Sequence, residues 1–224
     1  MELVRLVHNL GMPVPDAQDR RASVERTVML TDAVAAIAMT LLVLPLVEAV
    51  TAVNVDDVWS FVGENVSLFI SFAVSFAVIL LFWAAHRRVF SAVATLTPGL
   101  KLLNGAWLLV IAFLPFPTPL MASGPTTSST PIYIGSILAL SVVTTALFVI
   151  GARVATDIGQ ATNLRRLAVV GAIGAVILFG ATLSATVQAD AALITLIALA
   201  PLRGAGDTWA DRQSRPLARD DDAS

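Results

Sequence analysis

Residues 26–44 read RTVMLTDAVAAIAMTLLVL, an apolar helical pattern that starts with Arg26 and contains one carboxylate, Asp32. An ionisable side chain at membrane depth is costly, and such residues are normally functional. The residues after Asp32 provide an apolar stripe of the kind that a narrow hydrophobic constriction needs. This stretch therefore predicts a membrane helix and marks the part of the chain on which function depends.

The composition places the chain among integral membrane proteins. Of its 224 residues, 57% are hydrophobic and 13% are charged, whereas about a quarter are charged in soluble domains. A net charge of −2 argues against nucleic acid as a partner. There is no cysteine for disulfides or thiolate chemistry, and no H-E-x-x-H, G-x-S-x-G or phosphate-loop pattern. We therefore expect neither an enzyme nor a bound cofactor.

Long runs without charge predict the membrane helices. Four runs of 20 to 23 residues can each cross a hydrocarbon core, which is about 30 Å thick. The first span needs residues 26–32 to reach that length, and the last run is short. We predict an all-α membrane protein with six transmembrane helices in one domain, residues 26–203. The predicted spans are about 26–49, 64–88, 101–121, 131–152, 166–188 and 190–203, between a cytosolic tail at 1–25 and a disordered cytosolic tail at 204–224.

The charges predict the orientation of these spans. With six spans and a cytosolic N-terminus, all 14 Lys and Arg residues fall on the inner side. We therefore predict a multi-pass protein of the cell (inner) membrane with both termini in the cytosol. The outer segments carry only acids, which either concentrate cations at an outer mouth or simply reflect the exclusion of Lys and Arg from that side. These acids are Glu48, Asp56, Asp57, Glu64 and Asp190.

The first span has two different faces. At 100° per residue, Ile37, Leu41 and Leu44 lie within roughly 60° of one another, with Thr40 beside them. Asp32 points about 140° away from Ile37. An Ile/Leu stripe is by default a packing surface, and the lining of a pore is the alternative interpretation.

Asp32 needs polar partners on neighbouring helices, because lipid offers none. Trp83 and His86 lie three residues apart near the predicted cytosolic end of the second span, and Asn104 lies at the same depth in the third. These side chains are either ordinary interface residues or members of one polar cluster. The predicted cluster consists of Arg26, Thr31, Asp32, Trp83, His86 and Asn104.

The combination of these motifs resembles the transmembrane-protein-175 potassium channel family. Residues 26–44 match its signature R-x-x-x-F-S-D followed by G-V-F-A-I-A-x-T-L-L-V-L, with Leu30 and Thr31 in place of the first Phe and the Ser, and with Ala33 and Ala35 in place of the Gly and the second Phe. Three further matches follow in the right order. They are Phe82-Trp83-x-x-His86, Leu103-Asn104 and Phe113-Leu-Pro115-Phe116-x-Thr118, so the resemblance covers residues 26–118.

The resemblance implies a fold, an assembly and a set of site residues. Single-unit members of that family have six helices per chain, and four first helices surround a central pore, so we expect a homotetramer in a lipid bilayer. The family's constriction and threonine layer match Ile37, Thr40, Leu41 and Leu44. Its interhelical hydrogen-bond network matches Arg26, Thr31, Asp32, His86 and Asn104.

The function that follows is a potassium-preferring channel that conducts through a hydrophobic constriction of the first helix. Potassium ions would pass near Thr40 without a fixed metal site, because the chain contains no Thr-Val-Gly-Tyr-Gly carbonyl filter. The alternative is a proton-coupled transporter that uses Asp32 and His86. A membrane scaffold is the third possibility, and it is favoured if Ile37 and Leu41 face lipid.

Overall fold

The computed structural model describes residues 16–53 and 57–186, which fold into helices joined by short connections. A single isolated β-bridge, between Val93 and Ala155, lies within these ranges. The helices, in chain order, are α1 (Ala17–Leu41), α2 (Leu44–Thr51), α3 (Val58–Glu64), α4 (Val66–Ala92), α5 (Pro98–Phe113), α6 (Pro117–Ala122), α7 (Ser129–Val154) and α8 (Ile158–Ala185).

The helices are those of a multi-pass membrane protein. Within the described residues, four helical stretches are long and apolar enough to cross a bilayer: Gln18–Thr51, Val66–Ala92, Ser129–Val154 and Ile158–Ala185. The predicted third span, 101–121, is divided into α5 and α6. The predicted sixth span at 190–203, residues 1–15 of the N-terminal tail and the tail at 204–224 lie outside the described residues. The count of six spans is therefore not confirmed.

The first predicted span, 26–49, differs most from the structure. Helix α1 begins nine residues earlier, because the carboxylate of Asp16 caps it by accepting a hydrogen bond from the amide of Asp19 at 2.7 Å. The helix ends at Leu41, and α2 continues from Leu44. Pro45 lacks the amide hydrogen that would continue the ladder across this point. Residues 17–25, predicted as part of a tail, are thus a helical extension of the first span.

The connection after α2 contains a short helix where the sequence predicted a loop. Asp57 caps α3, since its carboxylate accepts hydrogen bonds from the amides of Trp59 and Ser60 at 3.1 and 3.2 Å. Asp57 is one of the acids assigned to the outer mouth, and its carboxylate already serves as this helix cap. Trp59 is 82% exposed on the same helix.

Helix α7 forms the centre of the bundle. Half of its most apolar stretch is buried, compared with 22% in the first span and 17% in α4. It packs against α4, α5, α6 and α8, while α1 packs on α4 and α5. At one end, the amide of Thr156 donates to the carbonyl of Ala92 at 3.1 Å, which ties the α7–α8 turn to the end of α4.

Gly151 allows the closest approach of α7 and α4. A Cβ atom at Gly151 would lie 2.7 Å from Cγ1 of Val89, a fully buried side chain. Because Val has one strongly preferred rotamer in a helix, we expect Gly151→Ala to destabilise the fold by about 1–3 kcal/mol. The unfolding temperature of the purified protein in detergent measures this effect.

Gly180→Ala is the matched control for this substitution. A Cβ atom at Gly180 would meet nothing within 4 Å. We expect the control to unfold at the same temperature or higher, because Ala favours a helix over Gly by about 0.5–1 kcal/mol. Equal effects of the two substitutions would contradict the close α4–α7 contact.

Candidate functional site

One face of α1 packs tightly against the chain's own helices. Its most deeply buried residues are Thr31, Ala35 and Ala38, and Leu42 continues the same face just after the helix ends; each of the four is at most 1% exposed. They follow one another at intervals of four, three and four residues, which is the repeat of a single helix face. Alanine side chains on this face allow α1 to lie close to α4 and α5. The position of α1 in the bundle is therefore fixed from this side.

The other side of α1 carries Ile37, Thr40 and Leu41 of the predicted constriction, and Leu44 follows at the start of α2. We call Ile37, Thr40, Leu41 and Leu44 the exposed stripe, because Ile37 is 58% exposed, Leu41 is 41% and Leu44 is 48%. Thr40 is exposed too, and its hydroxyl donates to the carbonyl of Ile37 at 2.8 Å. The described part of the chain leaves this apolar surface uncovered. This surface can contact lipid, contact another copy of the chain, or border a narrow pore.

Three of the predicted polar residues meet behind the stripe. We call Thr31, His86 and Asn104 the Asn104 cluster, and each is at most 5% exposed. The side-chain carbonyl of Asn104 accepts hydrogen bonds from the Thr31 hydroxyl at 3.1 Å and from Nε2 of His86 at 2.7 Å. Since an amide oxygen only accepts, this arrangement assigns the proton of His86 to Nε2. The cluster joins α1, α4 and α5 at a single point.

Aromatic rings enclose the histidine of this cluster. The His86 ring stacks on Phe90 with a centroid distance of 4.4 Å and contacts Trp107 at 4.6 Å. Trp107 is fully buried. Phe90 is absent from the predicted site, although its position four residues after His86 places the two on one helix face. The imidazole is thus held between two rings and one amide.

Asp32 contacts one member of the predicted cluster, Trp83, and one residue outside it, Arg87. Its carboxylate accepts a hydrogen bond from Nε1 of Trp83 at 2.7 Å and forms an ion pair with Arg87 at 3.3 Å. The Arg87 guanidinium also lies over the Trp83 ring, 5.3 Å from its centroid. In the described residues, no hydrogen bond joins Asp32 to His86 or to Asn104. The predicted cluster is therefore divided into two sets, one buried and one half-exposed.

Arg26 lies apart from both sets. It is exposed, and it has no hydrogen bond or ion pair with another residue in the described ranges. Five residues separate it from Thr31, so the two point about 140° apart, whereas Arg26 lies only about 20° from Ile37 on the helical wheel. Arg26 therefore extends the line of the exposed stripe towards the N-terminus of α1.

A second buried polar set joins helices at the opposite end of the bundle. The Thr118 hydroxyl donates to the Ser75 hydroxyl at 2.9 Å, and the Ser75 and Tyr133 hydroxyls are 3.0 Å apart. All three side chains are at most 4% exposed. Sequence patterns missed this set, because its members lie on α6, α4 and α7 with no common spacing. Each of these hydrogen bonds fixes one helix against the next in an apolar environment.

Known proteins are similar in sequence to the part of this chain that contains the exposed stripe and the Asn104 cluster. Residues 26–115 match the family model described as endosomal/lysosomal potassium channel TMEM175. A potassium channel of Chamaesiphon minutus is 35% identical over 120 residues, which cover 50% of this chain and 58% of that protein. The endosomal/lysosomal proton channel TMEM175 of Gallus gallus is 32% identical over 105 residues, 45% of this chain and 20% of that protein.

A solved structure extends the similarity beyond the first spans. The crystal structure of a lysosomal potassium-selective channel TMEM175 homolog from Chamaesiphon minutus matches with a TM-score of 0.66 at 24% sequence identity. The match covers 85% of this chain and 99% of that chain. The chain spans 58% and 20% of the lengths of the two curated relatives. Residues 26–115 thus match the TMEM175 family model, the two sequences are similar over about half of this chain, and the chain shares the fold of a TMEM175 homolog.

Proposed function

We propose that four copies of this chain form a potassium-preferring channel in which the exposed stripe of α1 lines the ion path. The observation that carries this proposal is the asymmetry of α1. One face is buried on α4 and α5, whereas Ile37, Leu41 and Leu44 remain 41–58% exposed. If four first helices surround a central axis, these side chains face that axis. The relative from Chamaesiphon minutus is named a potassium channel.

The distribution of charge supports the proposed orientation. Near one end of the bundle, which we call the basic end, lie Arg87, Arg88, Lys101, Arg153, Arg165 and Arg166. The described connections at the other end, 42–53, 57–65 and 114–128, carry acids and no Lys or Arg. Because short cytoplasmic segments are enriched in Lys and Arg, the basic end faces the cytosol. The start of α1 then lies on that side of the inner membrane, and the predicted sixth span would place the C-terminus there too.

The proposed constriction selects by the cost of dehydration. Rings of Ile37, Leu41 and Leu44 offer a permeating ion no oxygen, so an ion passes with a hydration shell that is squeezed or partly removed. Potassium holds this shell less tightly than sodium and therefore passes more easily. The Thr40 hydroxyl donates to the Ile37 carbonyl, which leaves its oxygen lone pairs available to a potassium ion in transit. When the Ile37 ring narrows, it dries and closes the path.

The two polar sets have a positioning role in this mechanism. The Asn104 cluster holds α1 against α4 and α5 at Thr31, and the Asp32–Arg87 ion pair holds it against α4 at the next residue. Both lie on faces of α1 other than that of the stripe. Movement of the stripe relative to the rest of the bundle must therefore work against these contacts.

Proton transport is the second candidate function, because the relative from Gallus gallus is named a proton channel. A relay through Asp32 and His86 requires proton transfer between them. In the described structure each is bonded elsewhere, Asp32 to Trp83 and Arg87, and His86 to Asn104. These contacts favour a structural role for both side chains.

Flux measurements on purified protein in liposomes distinguish the two functions. With a potassium gradient, a membrane-permeant counter-ion to balance the charge and a pH-sensitive dye inside the vesicles, we expect potassium flux without a change of internal pH. The matched variant is Asp32→Asn, which keeps an oxygen for the Trp83 hydrogen bond and loses the ion pair with Arg87. We expect it to remain folded and to conduct, because half-exposed ion pairs contribute only about 0–1 kcal/mol. Potassium flux that is accompanied by a matching change of internal pH would instead identify a coupled transporter.

A further inference from the structure

A cleft of about 110 Å³ lies between α4, α7 and α8, on the opposite side of α4 from the Asn104 cluster. Along α4 it runs from Leu81 past Ala84 to Arg88, a length of about 10 Å. These three residues are exposed, so the cleft opens to the outside of the chain. Neither the polar sets nor the exposed stripe contributes to it, and the proposed ion path does not explain it.

The deep wall of the cleft presents an apolar surface despite its hydroxyl groups. The Thr144 hydroxyl donates to the carbonyl of Leu140 at 2.7 Å, and the Thr145 hydroxyl donates to the carbonyl of Ser141 at 2.8 Å. Because both protons are bound within α7, a ligand need not supply acceptors for them. Gly171 of α8 adds a side-chain-free position, where a Cβ atom would lie 2.5 Å from the Thr145 hydroxyl oxygen. An unbranched hydrocarbon chain suits such a wall.

The mouth of the cleft carries a positive charge at the basic end. Arg88 is the charged residue among its lining side chains and lies four residues before the end of α4. A guanidinium has five N–H donors in a planar fork, so it can bind a phosphate in addition to the contacts it makes within the chain. The cleft thus places an anion-binding group at headgroup depth and an apolar groove at acyl-chain depth.

We infer that this cleft is a binding site for an anionic phospholipid of the leaflet at the basic end. One acyl chain lies along Ala84 and Gly171, and the phosphate contacts the Arg88 guanidinium. Basic sites between transmembrane helices are the kind that bind anionic headgroups. The inference depends on the membrane position of the helices and stands whether or not the chain conducts ions.

Native mass spectrometry of the purified full chain with added phosphatidylglycerol tests this site. We expect Arg88→Gln to weaken phosphatidylglycerol binding about fivefold. Lys101→Gln removes the same charge from an exposed position of α5 outside the cleft, and we expect it to bind as the unmodified chain does. Equal binding by the two variants would overturn the assignment of the phosphate to Arg88.

A second pair of variants tests the groove itself. Ala84→Phe fills the cleft, whereas Ala172→Phe adds the same bulk to an exposed position of α8 that does not line it. We expect the first to lose bound phosphatidylglycerol and the second to keep it. Phosphatidylcholine with the same acyl chains should bind more weakly, and glycerol phosphate alone should not compete. Equal binding of both lipids, or full competition by glycerol phosphate, would overturn the lipid site.

Discussion

Replacing Ile37 with Asn is expected to increase potassium flux through the protein about tenfold or more. A hydrophobic ring resists ions because it offers no hydrogen bonds and dries when narrow. An amide at the same position holds water, and each 1.4 kcal/mol removed from the barrier gives about a tenfold increase in rate. Ile37 is 58% exposed within the chain, so its replacement leaves the packing of α1 on α4 and α5 intact. Fluorescence-based potassium flux in liposomes measures the effect.

Leu102→Asn is the control for this substitution. Leu102 lies on α5 and is 75% exposed, on a different helix from the stripe. We expect it to leave the flux unchanged, which separates a pore effect from a general effect of a polar side chain in the membrane. If Ile37→Asn also left the flux unchanged, Ile37 would not line the ion path.

Replacing Asn104 with Leu is expected to destabilise the bundle by about 2–4 kcal/mol. The substitution removes the acceptor for both Thr31 and His86. Thr31 keeps a hydrogen bond to the Thr27 carbonyl at 2.9 Å, but the buried Nε2 of His86 loses its partner. The variant should therefore yield less folded protein and unfold at a lower temperature in detergent.

Asn163→Leu provides the comparison for this loss. Asn163 lies on α8 and is exposed, so the same change of side chain leaves no buried group unsatisfied. We expect its unfolding temperature to stay within the error of the unmodified chain. A similar loss of stability in both variants would show that the Asn104 cluster does not hold the three helices together.

Helical periodicity allowed the sequence to predict the two faces of α1. The separation of 100° per residue places Ile37, Leu41 and Leu44 on one side, and the structure leaves that side exposed. Depth in the membrane predicted the meeting of Thr31, His86 and Asn104, because each lies within five residues of the predicted cytosolic end of its span. These features depend on local helix geometry and on the position of the membrane boundary, and both can be predicted from the sequence.

The partners of Asp32 could not be predicted in the same way. Thr31 and Asp32 are neighbours on a helix and point about 100° apart, so they contact different helices. The carboxylate binds Trp83, which the prediction placed in the same cluster, and the cation Arg87, which it did not include; in the described residues it has no hydrogen bond to His86 or Asn104. Which helix lies beside each face is decided by tertiary packing.

The interruptions of the helices show a similar limit. Prolines at 45 and 115 lie near the interruptions of the first and third spans, but the first interruption falls at residues 42–43, before its proline. The hydroxyl set of Ser75, Thr118 and Tyr133 had no sequence signal, since three separate helices supply it. Helical periodicity does not predict contacts between helices that are distant in the sequence.

The most direct test of the proposed ion path is chemical block at position 37. The chain contains no cysteine, so Ile37→Cys introduces a single thiol, and a cationic thiol reagent can be applied to liposomes during potassium flux. If the exposed stripe lines the path, the reagent stops the flux through this variant and leaves the flux through Leu102→Cys unchanged. Undiminished flux through Ile37→Cys after complete labelling would contradict the proposed pore.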